Sequence, residues 1–222
     1  GQEVYVGFDM SAKIDLTSVS FVIPLKIEDT AKYVVYSHSF IPNYEKLRER
    51  ITVDKMPYDS WVERGYITVT NTPIVDQEAV IEYVFEFCKN NDLKIKNLCF
   101  DPANASKLMM DLEKRGYECV EVYQSYRSLN ESTAGFREQV YSKNVYYTYN
   151  PVLNFAMNNA MMRTSGGLIK IDKDITRKRI DAVIAVLGAY KLAQYHEFVL
   201  DLNKYRTPDY LRKLYKGGDN TE

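Results

Sequence analysis

Histidine and cysteine are both scarce: two histidines, His38 and His196, and three cysteines, Cys88, Cys99 and Cys119, stand among 222 residues. So few histidines leave little room for a histidine-built metal cluster, and the cysteine spacing matches no zinc pattern. An odd number of separated thiols suits a reducing compartment rather than a disulfide framework. No Ser/His/Asp set stands out for nucleophilic catalysis. No apolar run is long enough to cross a bilayer, and the N-terminus lacks the basic-then-apolar layout of a signal peptide. Gly1 lies almost directly on the first strand, the layout expected of an excised domain. A phosphate-cradling G-x-x-x-x-G-K-[ST] loop is missing as well. The stretch "SGGLIK" is no substitute, because its glycine pair leads into an apolar β-like run, so no ATPase activity is expected. The net charge is −1. With no global pull on nucleic acid, any such contact has to come from a local basic patch.

What is present reads as a globular α/β chain. Apolar residues make up 45 % and charged residues 27 %, enough to bury a large core without disulfides. Residues 1–203 read as one domain and 204–222 as a polar C-terminal tail. Residues 4–9, 17–25 and 32–37 are expected as three strands of a meander, followed by a polar stretch through Pro42, Pro57 and Trp61. A short strand near 66–70 precedes the helix "VDQEAVIEYVFEFCKN", with Asp76 as its N-cap. "IKNLCFDP" is a strand ending on Asp101, "NASKLMMDLEKRG" a helix closed by Gly116, and "YECVEVYQ" another strand. A helix is expected around 132–142. Asn150 and Pro151 start a further one. "GGLIKIDKD" reads as a strand or hairpin, and "TRKRIDAVIAVLGAYKLAQ" as a long helix. This order implies a mixed sheet, an antiparallel meander plus parallel strands, flanked by helices.

Within that order, three carboxylates attract notice. Asp9 and Asp101 each end a strand, and open α/β sheets bind ligands outside the carboxyl ends of their strands. Asp181 lies in the last helix beside the stripe of Ile180, Val183, Ile184 and Leu187, above the small residues Ala185 and Gly188. Such residues let a helix approach a sheet closely. Carboxylates sharing a cleft repel each other, and a hard cation such as Mg²⁺ or Mn²⁺ removes the conflict. Two ions about 4 Å apart activate water and stabilise a leaving phosphodiester oxygen. Plainer roles compete for each acid. An Asp at a strand end is more often a turn former, Asp101 precedes a proline, and Asp181 stands one turn from Arg177. Asp15 fits a turn or cap, although its nearness to Asp9 keeps it in play.

Five blocks, taken in order, resemble the nuclease domain of the large terminase subunit of tailed bacteriophages. They are "GFDMSAKIDLTSVSF", "MPYDSWVERGYITVTNTPIVD", "FDPANASKLMMDLEKRGYECVE", "YRSLNESTAGFREQVYSKNVYYTYNPVLNFAMNNA" and "KRIDAVIAVLGAYKLA". The resemblance implies a ribonuclease H-like fold and a metal-dependent endonuclease that cuts double-stranded DNA concatemers during genome packaging. It carries the catalytic and metal-binding roles to Asp9, Asp101 and Asp181, with Asp9 bridging a pair of Mg²⁺ or Mn²⁺ ions and Asp15 in support. It also implies the host cytoplasm, a packaging ATPase domain absent from these residues, a small terminase subunit and a portal as partners, and no membrane. Two rivals stay open: a ribonuclease H-like enzyme acting on branched or hybrid nucleic acid, and a non-catalytic docking module of the packaging motor.

For holding DNA, the strongest basic segment runs from Arg163 to Arg179, with Lys170, Lys173, Arg177, Lys178 and Arg179 against Asp172 and Asp174. Arg127 and Lys143 extend it. A phosphate backbone is its expected partner, with a solvated helix start and hairpin as the plainer alternative for each residue. The nineteen tyrosines are spread through all the elements and are expected to pack rather than to stack on bases.

Overall fold

The structure, a computed structural model, describes residues 1–10, 16–172 and 179–198. The proposed tail at 204–222 therefore lies outside the described residues. Three strands open the chain: β1 (Gln2–Asp9), β2 (Thr17–Ile27) and β3 (Thr30–Ile41). They pair as an antiparallel meander. The β2–β3 turn is two residues long, and Glu28 and Asp29 both adopt positive φ (49° and 62°). A two-residue turn of that kind matches the twist of the strands it joins.

The polar stretch after β3 is more ordered than its composition suggests. It forms α1 (Tyr44–Asp54), capped by Asn43 accepting from the Lys46 amide, and the short α2 (Tyr58–Glu63). Of their apolar residues, Leu47, Tyr58 and Trp61 are buried and pack with Leu16, Ile41, Ile67 and Val152. Next come β4 (Ile67–Val69), α3 (Gln77–Asn90), β5 (Leu93–Phe100), a 3-10 turn (Pro102–Asn104), α4 (Ser106–Lys114) and β6 (Cys119–Glu121). Asp76 caps α3 by accepting from the Glu78 amide. The helix expected near 132 starts earlier, as α5 (Tyr126–Tyr141), and a strand that the sequence did not announce, β7 (Val145–Tyr147), follows it. α6 (Pro151–Asn159), the hairpin β8 (Met162–Ser165) and β9 (Leu168–Ile171), and α7 (Asp181–Ala193) complete the described elements.

The main sheet has the order β4-β3-β2-β1-β5-β6, with β7 sharing the outer edge of β3 with β4. β5 and β6 run parallel to β1. Alternation along β1 sends Val4, Val6 and Phe8 into a core with residues of α3 and α4, while Tyr5 joins the core made with α5, α6 and α7. Every residue of α7 from Asp181 to Tyr190 is buried. A helix covered on all sides belongs to the centre of the molecule rather than to its surface.

What seats α7 so deeply is Gly7. A Cβ at that position would lie 1.9 Å from the Ala185 carbonyl oxygen and 2.7 Å from the Ala189 nitrogen. The helix backbone therefore rests directly on β1, with Gly188 above Gly7. Ser20 Oγ adds a hydrogen bond to the Ala182 carbonyl (3.1 Å), tying the same helix to β2.

Candidate active site at the strand tips

Asp9 is the last residue of β1 and is only 4 % exposed. Strand alternation puts it on the side of Tyr5 and Gly7, which faces α7. The helix runs antiparallel to that strand. Tyr5 Oη lies 3.2 Å from Nδ1 of His196, beyond the end of α7, and Gly7 meets Ala185 and Ala189 in its middle. Two more strand residues advance about 6.6 Å, and the four helical residues from Ala185 back to Asp181 cover about 6 Å. The tip of β1 thus arrives beside the N-terminus of α7, where Asp181 is the first helical residue and is buried.

Asp101 joins them from the neighbouring strand. Phe8 and Phe100 are parallel register partners and their rings stack at 4.1 Å, so the residues that follow them, Asp9 and Asp101, end adjacent strands at one level. Cys99 packs with Val122, Leu129 and Leu192 on the α7 side, and Asp101, two residues on, shares that side. Asp101 also does what an Asp before Pro commonly does: its Oδ1 accepts from the Ala103 amide at 3.1 Å and caps the 3-10 turn. A cleft between the tips is lined by Phe8, Asp101, Val122, Gln124, Leu129 and Ile184. Cys99 forms part of its floor, but burial pushes the thiol up to about 12, so it supplies no nucleophile.

The acids share one end and one face of the sheet, yet they are not drawn into a single ligand set. Among the described residues no three His, Cys, Asp or Glu side chains are grouped closely enough to hold an ion. Asp181 lines a second small cleft with Ser18, Val152 and Arg179, and Ser18 is the register partner of Asp9 on β2. Its charge reaches Tyr58, whose phenol is held far above its usual range by burial first, then by Asp54 and Asp181. The donor chemistry suits a hard cation: three carboxylates, two of them buried. Asp15 lies outside the described residues.

The basic residues divide. Arg127 is exposed in the first turn of α5, three residues past Gln124. Lys170 on β9 stands 3.5 Å from the Gln124 carbonyl oxygen and 5.0 Å from the centre of the Tyr126 ring, beside the cleft. Arg163 on β8 is paired with the buried Asp172 at 3.2 Å. Lys143 does not extend the track. It precedes Asn144, whose carbonyl accepts from the Tyr33 amide near the start of β3, and the acids lie at the opposite end of the sheet. Arg179 lines the cleft of Asp181 and is also ion-paired with Asp54 at 3.9 Å, four-fifths covered. Lys173, Arg177 and Lys178 lie outside the described residues.

Gln124, Ser18 and Gly7 went unnoticed in the sequence. The signal for Gln124 was present, since the strand read as "YECVEVYQ" ends on it as "IKNLCFDP" ends on Asp101. Its Nε2 donates to Asp9 Oδ1 at 3.3 Å.

An antiparallel meander continued by parallel strands, with a buried helix across the face that carries strand-end acids, is a ribonuclease H-like arrangement. The chain belongs to the terminase large subunit endonuclease domain family, whose model matches residues 1–197. It is 27 % identical to the terminase large subunit of Enterobacteria phage HK97 over 185 residues, covering 82 % of this chain and 36 % of that protein. It is 24 % identical to protein YmfN of Escherichia coli strain K12 over 208 residues, covering 89 % of this chain and 44 % of that protein. The crystal structure of the HK97 large terminase superposes with a TM-score of 0.75 at 26 % identity, over 86 % of this chain and 39 % of that one. The chain thus spans less than half the length of these relatives.

Proposed function

We propose that this endonuclease domain cuts double-stranded DNA concatemers during viral genome packaging, with Mg²⁺ or Mn²⁺ as cofactor. The observation that carries the proposal is the placement of two adjacent strand-end carboxylates, Asp9 and Asp101, and a helix-initial carboxylate, Asp181, at one end and on one face of the sheet. These three would hold the cation. When bound, it supplies Lewis-acid stabilisation of the phosphodiester and of the attacking water. The chain's own groups have separate tasks. Burial keeps Asp9 and Asp181 away from bulk water, and the N-terminal end of α7 favours negative charge at Asp181. Lys170 and Arg127 present positive charge beside the cleft, placed for a phosphate backbone rather than for base edges. A packaging ATPase, a small terminase subunit and a portal would be its partners, in the host cytoplasm.

Supercoiled plasmid incubated with the protein and Mn²⁺ or Mg²⁺ is expected to yield nicked and linear products. Asp9→Asn and Asp101→Asn are each expected to reduce cutting to the level of a chelator-treated control. Cleavage that persists in excess chelator would sink the mechanism. The looser spacing of the acids is also what a non-catalytic docking module would show. Titration with Mn²⁺ separates the two, because a docking module gives no saturable, carboxylate-dependent binding.

A further inference from the structure

We infer that Gln124 is a positioning residue for Asp9: its side-chain amide holds one carboxylate oxygen and so fixes the orientation of the carboxylate at the tip of β1. The inference deepens the function proposed above and rests on it. Gln124 and Asp9 are 115 positions apart in sequence, yet Nε2 of one lies 3.3 Å from Oδ1 of the other. An ionised carboxylate only accepts hydrogen bonds, so the amide must turn its NH₂ toward Asp9. Gln124 also lines the same cleft as Asp101. It therefore stands at the tip of a third parallel strand path as the two acids stand at theirs.

The backbone around Gln124 is anchored on both sides. The Val122 amide donates to the Phe100 carbonyl at 2.7 Å, which extends the β5–β6 pairing past the end of β6. Ser125 accepts from the Ser128 amide at 3.2 Å and caps α5. Lys170 Nζ approaches the Gln124 carbonyl oxygen. A side chain carried on so short and held a link can fix its neighbour's orientation. The type of side chain matters too. A lysine here would cancel the charge a cation needs, and a glutamate would repel Asp9, whereas a neutral donor orients the acid and leaves its charge intact. Groups that hydrogen-bond metal ligands in this way typically govern affinity by about 10- to 100-fold.

The test uses Gln124→Met, similar in length but without a donor, and Gln124→Ala, in case the first perturbs folding. Circular dichroism checks that each folds. Calorimetric titration with Mn²⁺ is expected to show binding weakened by about tenfold or more, with the Mn²⁺ concentration for half-maximal plasmid cutting rising in step and KM for DNA within about twofold of wild type. Two results overturn the inference: a folded variant that binds Mn²⁺ as tightly as wild type, or a KM for DNA that rises by the same factor as the Mn²⁺ dissociation constant. The first shows a space-filling role and the second a DNA contact. A wild-type protein without saturable Mn²⁺ binding sinks the function proposal and this inference together. Wild-type binding matched by both variants sinks this inference alone.

Discussion

His38 is buried in the sheet, with its ring stacked on Tyr83 at 4.2 Å and Nε2 lying 2.8 Å from Thr68 Oγ1. Burial pushes its pKa down from 6.5 to about 4. The folded protein thus keeps the ring neutral where the unfolded chain takes up a proton. The stability this represents is complete above pH 6.5 and is lost as pH falls from 6.5 towards 4, by ~3 kcal/mol in all. Urea unfolding at a series of pH values across that window is expected to show the decline, and His38→Phe to flatten it. An unchanged slope in the variant would mean that another group governs acid sensitivity. No spacing in the sequence marked His38 as buried. Its position in the strand "AKYVVYSHSF" fixes which face it takes, but only α3, folding back with Tyr83, covers that face.

At the scale of elements, the contact that organises the site is the one between β1 and α7. Gly7→Ala would drive a methyl group into the Ala185 carbonyl. Because the obstacle is helix backbone rather than a flexible side chain, the strain is expected to cost about 3 kcal/mol or more. In a domain of this size that lowers Tm by roughly 6–12 °C. Calorimetric unfolding measures it, and a shift of under about 2 °C would show that the helix can slide to make room. Which elements were legible follows from what each buries. β1 to β3 were legible as runs rich in Val, Tyr and Phe, because each is buried over much of its length. α3 and α6 announce their starts through Asp76 and Asn150, whose side chains do accept from the first-turn amides. α1 and α2 were hidden because they bury little beyond Leu47, Arg50, Tyr58 and Trp61. β7 was hidden because its tyrosines are largely exposed and it is held by an edge of β3 contributed from far earlier in the chain.

For the whole molecule, a net charge of −1 means that DNA binding must depend on where the cations lie rather than on how many there are. Using the Asp9→Asn protein to avoid cutting, duplex affinity is expected to fall steeply with salt. Lys170→Ala is expected to reduce the slope of log K against log salt by about 0.9, the contribution of one phosphate contact. Lys143→Ala is expected to leave the slope unchanged, because it lies at the far end of the sheet from the acids. Equal slopes for wild type and Lys170→Ala would remove β9 from the DNA path. The sequence by itself determined the mixed α/β architecture, the acids at the ends of β1 and β5, and the small residues that let the last helix come close, since alternation, capping and breaker residues act over a few positions. Only the tertiary structure decided that Gln124 meets Asp9, that Arg179 turns to Asp54 and that Lys143 stands apart. Those outcomes depend on strand order and on which faces cover one another, and no local pattern in a chain encodes the partner that arrives from a hundred residues away.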